Sequence, residues 1–247
     1  MKFCASSSGG EDLEAAFASL SIQHPTAAAI NSNATTTTTI QPPTRPPPPE
    51  KPSDLPNILM AMRRLREGIL GSRRRDAFAQ RAYMFIAQAS ILTRSWESYQ
   101  PTLLHLINSI HPQTPLSALE LRDNVGYMIL DLACRQNDLV GAFALRSKFA
   151  HSDRRVGAVL KALVHDDWPR FWRVRRAVDG YQRALMGFAE ERVRLHALKC
   201  LGRSYLSAER GFVERSADSG WEELVGSGVG WQLREDGVVV IRKPKPK

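Results

Sequence analysis

From Asp166 to Ser207 the apolar residues recur at helical spacing, and then the pattern changes kind. Gly220, Gly226, Gly228 and Gly230 interrupt it, and Trp231 to Ile241 reads as two short strands joined at Asp236-Gly237. Glycine after aspartate suits a tight hairpin turn, because glycine occupies positive φ without a Cβ clash. A chain that keeps helical periodicity this far and then makes one small hairpin has few folds open to it. The expectation is a mainly α protein: a helical array that ends in a small module carrying a β-hairpin.

Upstream, helix signals follow one another from Asn57. Ile58 to Leu70 forms a first short helix that stops at Gly71. Asp76 to Thr93 places Phe78, Ala82, Phe85, Ala89 and Leu92 on one stripe, with Ile86 beside it. Pro101 suits the first turn of a third helix, where its missing amide is not needed, and Leu103, Leu106, Ile107 and Ile110 face inward. Thr114-Pro115 opens a fourth, with Leu121, Val125, Met128, Ile129 and Leu132 as its apolar face. A fifth offers Leu139, Phe143 and Phe149, and a sixth Val156, Val159, Leu160 and Leu163. The seventh is capped by Asp166 or Asp167, carries Pro169 in its first turn, and presents Trp168, Phe171, Trp172 and Val178. The eighth, Phe188 to Ser207, carries Val193, Leu195, Leu198, Leu201 and Tyr205. The short connections imply antiparallel neighbours, and no fixed-period sequence repeat is present. In the terminal module, Phe212 to Ala217 and Ser219 to Val225 read as two short helices before the hairpin.

Residues 1–56 differ in composition. The runs Thr35 to Thr39 and Pro46 to Pro49, with further prolines, cannot bury enough apolar surface to offset ordering entropy, so this segment reads as a disordered arm. Within it Leu13, Phe17 and Leu20 stand at i, i+4 and i+7 behind acidic Glu11 and Asp12. That is the pattern of a short helix that folds into a partner's groove, or of a transient helix with no role. The arm holds three of the 34 Lys/Arg and five of the 25 Asp/Glu, so the strongly positive balance belongs to the remainder.

Two arginine clusters stand out: Arg63, Arg64, Arg66, Arg73, Arg74 and Arg75 around the first helix junction, and Arg170, Arg173, Arg175, Arg176 and Arg183 in and after the seventh helix. Guanidinium forks match phosphates and carboxylates alike, so the clusters would serve RNA or an acidic protein face, or remain a solvated surface. Cys4, Cys134 and Cys200 are odd in number and form no CxxC pair, which excludes a disulfide framework and a zinc site. The start has no apolar secretory core, and no apolar run approaches the roughly 18–20 residues of a membrane span. A cytoplasmic or nuclear protein is the expectation. Neither a P-loop nor HExxH occurs. Gly226 to Gly230 follows no strand, and the histidines are scattered. No enzyme activity, cofactor, metal or small-molecule substrate is expected.

His165-Asp-Asp-Trp-Pro-Arg-Phe-Trp172, His196-Ala-Leu-Lys-Cys-Leu-Gly-Arg-Ser-Tyr205, Trp221-Glu-Glu-Leu-Val225, Gly230-Trp231 and Asp236 to Ile241 together resemble the PCI family. The similarity is to its small-subunit branch: the smallest COP-nine signalosome subunit, a small non-ATPase proteasome lid subunit, and the k subunit of translation initiation factor three. It covers about residues 57–242. The resemblance implies a right-handed stack of antiparallel helices followed by a C-terminal winged helix. The division would be a disordered arm at 1–56, a helical-repeat part at 57–187, a winged-helix part at 188–242 and a basic tail at 243–247. It also implies a scaffold role, assembling with other PCI-domain subunits through the exposed edge of the hairpin formed by Trp231, Leu233, Val238, Val239, Val240 and Ile241. The alternative is an RNA-binding adaptor of the messenger-RNA export type, using the arginine clusters and the wing. The chain departs from the pattern in one respect: Lys-Pro-Lys-Pro-Lys follows the hairpin closely, where lid and signalosome subunits continue into a bundling helix.

Overall fold

The computed structural model describes residues 54–242. The arm helix around Leu13, Phe17 and Leu20 and the tail at 243–247 lie outside them. The chain divides after Ala61 into two units, and all the described elements except the start of the first helix belong to the unit from Met62 onward.

Eleven α-helices and a small sheet make up the described residues. In chain order they are α1 (Leu55–Gly71), α2 (Ala77–Leu92), α3 (Trp96–His105), α4 (Ala118–Leu130), α5 (Leu139–Lys148), α6 (Arg154–Val164), α7 (Trp168–Ala177), α8 (Gly180–Met186), α9 (Glu190–Ser204), β1 (Ser207–Glu209), α10 (Arg210–Ala217), α11 (Trp221–Gly226), β2 (Gln232–Leu233) and β3 (Val238–Val240). Helices α3 and α4 each run on into a π-helical turn, at Leu106–Ile110 and Asp131–Arg135. The mainly helical expectation, with a small antiparallel sheet at the end, is met.

The helices start and stop by repeated devices. Asp76, Asp138, Asp153, Asp167 and Asp179 each accept a backbone amide of the first turn they precede. Ser117 forms a reciprocal capping box with Glu120, so α4 begins there and not at Thr114-Pro115. The stops are left-handed residues at Arg73, Arg94, Asn137, Ala150 and Asp166, none of them glycine. Behind each, the next amide reaches back into the last helical turn: Arg74 to the Ile69 carbonyl, Ser95 to Ser90, Asp138 to Leu132, His151 to Arg146, and Asp167 to Ala162. These are Schellman-type ends, which turn the chain sharply and allow linkers of a few residues.

Three sequence expectations for individual helices are corrected. The buried side of α2 is Ala79, Tyr83, Ile86, Ala87, Ser90 and Ile91, while Phe78 and Phe85 face solvent. Pro101 lies inside α3, which begins a turn earlier, at Trp96. The interval between the seventh and eighth expected helices holds a further one, α8, whose Leu185 and Met186 are fully buried.

The main core gathers Ile91, Tyr99, Leu103, Ile129, Leu130, Val159, Leu160, Phe171, Trp172, Leu185 and Met186 from α2 to α8. A second core belongs to the terminal module: Leu201 of α9, Val213 and Ala217 of α10, Trp221 and Leu224 of α11, and Val239 and Ile241. The sheet order is β1-β3-β2, antiparallel throughout, with Ser207 and Gln232 both in register with Val240. Strand β1 was not expected from sequence. It makes β3 the central strand, so Val238 to Val240 offer no free edge, and the free edge of the hairpin is that of β2 alone.

Candidate partner-binding surfaces

The hairpin residues divide between core and surface. Val239 is fully buried and Ile241 nearly so, whereas Trp231, Leu233, Val238 and Val240 are half-buried. The Trp231 ring lies above Gly202 of α9, 3.5 Å from where a Cβ would stand. The turn is longer than a two-residue loop: the Arg234 amide donates to Val238 at 2.9 Å, the Gly237 amide to Arg234 at 3.1 Å, and Gly237 has φ +79°. The free edges are those of β1 and β2, three and two residues long. Strands this short expose few unpaired backbone groups. The outward face offers more. There Ser207, Val240 and Gln232 align across the three strands, and with Leu206, Leu233, Arg234 and Arg242 they line an open depression of ≈ 830 Å3.

Part of each arginine cluster is engaged with the protein's own groups, while the side chains of Arg64, Arg73, Arg75 and Arg173 make no hydrogen bond or ion pair among the described residues. Arg63 pairs with Glu67 at 2.9 Å, and Arg66 donates to the Ser98 carbonyl. Arg74 pairs with Asp76 and stacks on Phe78, while the Arg75 carbonyl accepts from Thr114. Arg73 forms a helix stop, and Arg64 is exposed. In the second cluster Arg170 pairs with Asp167 and Arg176 with Asp218, and the neighbouring Arg175 bridges to Glu190. Among the described residues Arg173 and Arg183 of this cluster make no ion pair, and Arg183 donates to the Arg175 and Val178 carbonyls. The second cluster therefore fastens α7 to α9 and to the end of α10. Glu190 and Asp218 lie 15 and 42 residues from Arg175 and Arg176 in sequence, which hid those pairings, whereas Asp167 is the near neighbour of Arg170.

An apolar cleft that sequence reasoning missed opens between α3, α4 and α5. Leu103, Leu104, Met128, Leu132, Gly141, Ala144 and Leu145 line its ≈ 410 Å3. A polar network closes its base. The Tyr99 hydroxyl donates to Asp131 at 2.5 Å, Arg135 makes two bonds to the same carboxylate at 2.6 and 2.8 Å, and Gln136 adds a fourth at 2.7 Å. The Arg135 guanidinium also lies 4.8 Å from the centre of the Trp96 ring. Burial, then the Asp131 carboxylate, pushes the Tyr99 hydroxyl well above its ordinary range, so it serves as a fixed donor. The Asp131 hydrogen bond holds Arg135 in its charged form. The π-helical turn brings Asp131 and Arg135 to this position, and no periodicity in the sequence announces it.

A second unanticipated surface is basic. Arg146 of α5, Ser152, the α6 residues Arg154, Gly157, Ala158 and Lys161, and Arg170 of α7 line a groove of ≈ 360 Å3. Only Arg170 was singled out from sequence.

One constellation has the residue types of nucleophilic chemistry. His196 Nε2 lies 3.4 Å from Cys200 Sγ and 3.6 Å from an Asp166 oxygen. Both neighbours face the same ring nitrogen, whereas a relay needs the acid on one nitrogen and the thiol on the other. Cys134 is fully buried, and burial pushes its thiol up to about 12, far from a reactive thiolate. Among the described residues no group of three His, Cys, Asp or Glu is placed to hold a metal ion, and no helix is long and apolar enough to cross a membrane. Compared with known proteins, the chain matches no family model and no curated protein.

Proposed function

We propose that this chain is a non-catalytic scaffold subunit of the PCI type, which joins other PCI-domain subunits in an assembly like the proteasome lid, the COP-nine signalosome or initiation factor three. The observation that carries the reading is the order α9–β1–α10–α11–β2–β3 with sheet order β1-β3-β2, at the end of a helical array. That connectivity is what a winged helix requires: a strand before the two short helices, then a hairpin whose second strand enters the middle of the sheet. Of the motifs that resemble the family, His196 to Tyr205 falls on α9, Trp221 to Val225 on α11 and Asp236 to Ile241 on the turn and β3, while His165 to Trp172 opens α7 ahead of them.

Assembly is assigned to the outward face of the sheet rather than to β3 as an edge. Leu206, Leu233 and Val240 supply apolar area there, and the short β1 and β2 edges lie beside it. The apolar cleft between α3, α4 and α5 gives the array a second surface for the hydrophobic side of a partner segment.

The test is affinity purification of the tagged full chain at native expression, with and without nuclease, read by mass spectrometry. Recovery of identified PCI subunits that survives nuclease is expected. Its loss in Leu206→Asp/Val240→Asp, with an unchanged thermal melt, would assign it to the sheet face. Failure to recover any PCI subunit overturns the proposal, and partners that depend on nucleic acid would favour the RNA-adaptor reading.

A further inference from the structure

We propose that the basic groove between α5, α6 and α7 binds an acidic linear peptide segment of a partner protein. The inference does not depend on the family reading. Arg154, Gly157, Ala158 and Lys161 stand at i, i+3, i+4 and i+7 of α6, and so share one face. The two cations are roughly 10 Å apart along the helix axis, with small residues between them. Arg146 from α5 lies flat across this floor. Its Cζ and both Nη atoms would stand 2.9–3.4 Å from a Cβ at Gly157, so a side chain there would push the guanidinium aside. Its Nε donates to the His151 carbonyl at 3.3 Å, which fixes the fork, while neither Nη has a hydrogen-bond partner among the described residues.

The charge around this floor is not balanced locally. Arg146, Arg154 and Lys161 form no ion pair among the described residues, and Arg170 pairs with Asp167 at 3.2 Å. The Asp153 carboxylate caps α6, accepting from the Arg155 amide at 2.7 Å and from Gln182 at 3.4 Å, and is not part of the groove lining. Three cations without an ion pair thus line a groove long enough for a chain segment. An extended peptide places same-face side chains about 6.7 Å apart, so acidic residues at alternate positions reach successive cations. Guanidinium forks bind carboxylates in two-point fashion, which an acidic peptide supplies repeatedly. No aromatic side chain lines the groove, so the bases of single-stranded RNA would have nothing to stack on. The observations favour the peptide.

The experiment is fluorescence anisotropy with the full chain and a labelled peptide of alternating glutamate and serine, beside a single-stranded RNA of equal charge, at low salt. The peptide should bind more tightly than the RNA. Arg154→Glu/Lys161→Glu should raise the peptide Kd about tenfold or more, because it inverts the potential the peptide meets. Arg81→Glu/Lys199→Glu makes the same charge change at exposed sites outside the groove and should leave Kd within about twofold. Gly157→Ala, which displaces Arg146, should weaken binding with the circular dichroism spectrum unchanged. Absence of peptide binding, equal loss in both charge reversals, or tighter binding of the RNA would each overturn the proposal.

Discussion

The indole nitrogen of Trp172 donates to the backbone carbonyl of Ser216 at 2.9 Å, with both residues buried, and so ties α7 of the array to α10 of the terminal module. Trp172→Phe keeps most of the packing but leaves that carbonyl without its partner, which should cost about 1–3 kcal/mol. Trp172→Ala should cost about 3–5 kcal/mol. Urea unfolding followed by both fluorescence and circular dichroism checks this. One shared transition is expected, and separate transitions would mean that the two cores do not depend on this bond.

The Asp131 network makes a graded prediction. Tyr99→Phe removes one bond to a charged acceptor and should cost about 1.5–3 kcal/mol. Asp131→Ala strips three donors of their acceptor at once and should cost about 3–5 kcal/mol. Equal losses from the two variants in chemical denaturation would show that the carboxylate is not the centre of the network.

In the terminal module the fully buried Leu224 should matter more than the larger Trp231. Leu224→Ala is expected to cost about 2–5 kcal/mol. Trp231→Ala, at a half-buried site over Gly202, should cost roughly 1–2 kcal/mol. Thermal melts of the two variants side by side give the ranking.

Ala150 holds φ +46° at an exposed helix stop, a conformation that disfavours any residue with a Cβ. Ala150→Gly should therefore stabilise the fold by about 1 kcal/mol, or roughly 2–4 °C in Tm. A lower Tm would indicate that the lost Cβ contributes more than the strain it relieves.

His105 packs its ring 4.9 Å from Tyr83, centre to centre, and burial, with Arg75 nearby, lowers its pKa below the ordinary 6.5. The unfolded chain then holds the proton more readily than the folded one. This contribution is fully present above pH 6.5 and is lost as pH falls through the lower folded-state value. Unfolding free energy measured across that window should decline more steeply for the wild type than for His105→Gln.

Helix existence was legible in the sequence wherever apolar spacing ran long, and the inward faces of α3 and α6 were read correctly. Faces failed where composition left two answers. In α2, alanine and large apolar residues surround the whole cylinder, so the Phe78–Phe85 stripe satisfies the same period as the Ala79–Tyr83–Ile86 side that is buried. The αL stops at Arg73, Arg94, Asn137, Ala150 and Asp166 left no glycine to mark them. Strand β1 is three residues long and exists because β3 pairs with it from about thirty residues away, a non-local cause that local propensity does not carry. The basic groove draws its cations from three helices, so no single window of sequence contains it.

The strand that pairs with both of its neighbours is also the last of the three to be made. During synthesis β1 and β2 emerge with nothing to bind, and only Val238 to Val240 completes the ladder on either side. Without Val238 to Val240, β1 and β2 would lose the strand that joins them, and Val239 would no longer cover Leu201, Val213 and Leu224. The position of β3 thus makes Val238 to Val240 the keystone of the module, the one segment on which the pairing of both β1 and β2 rests.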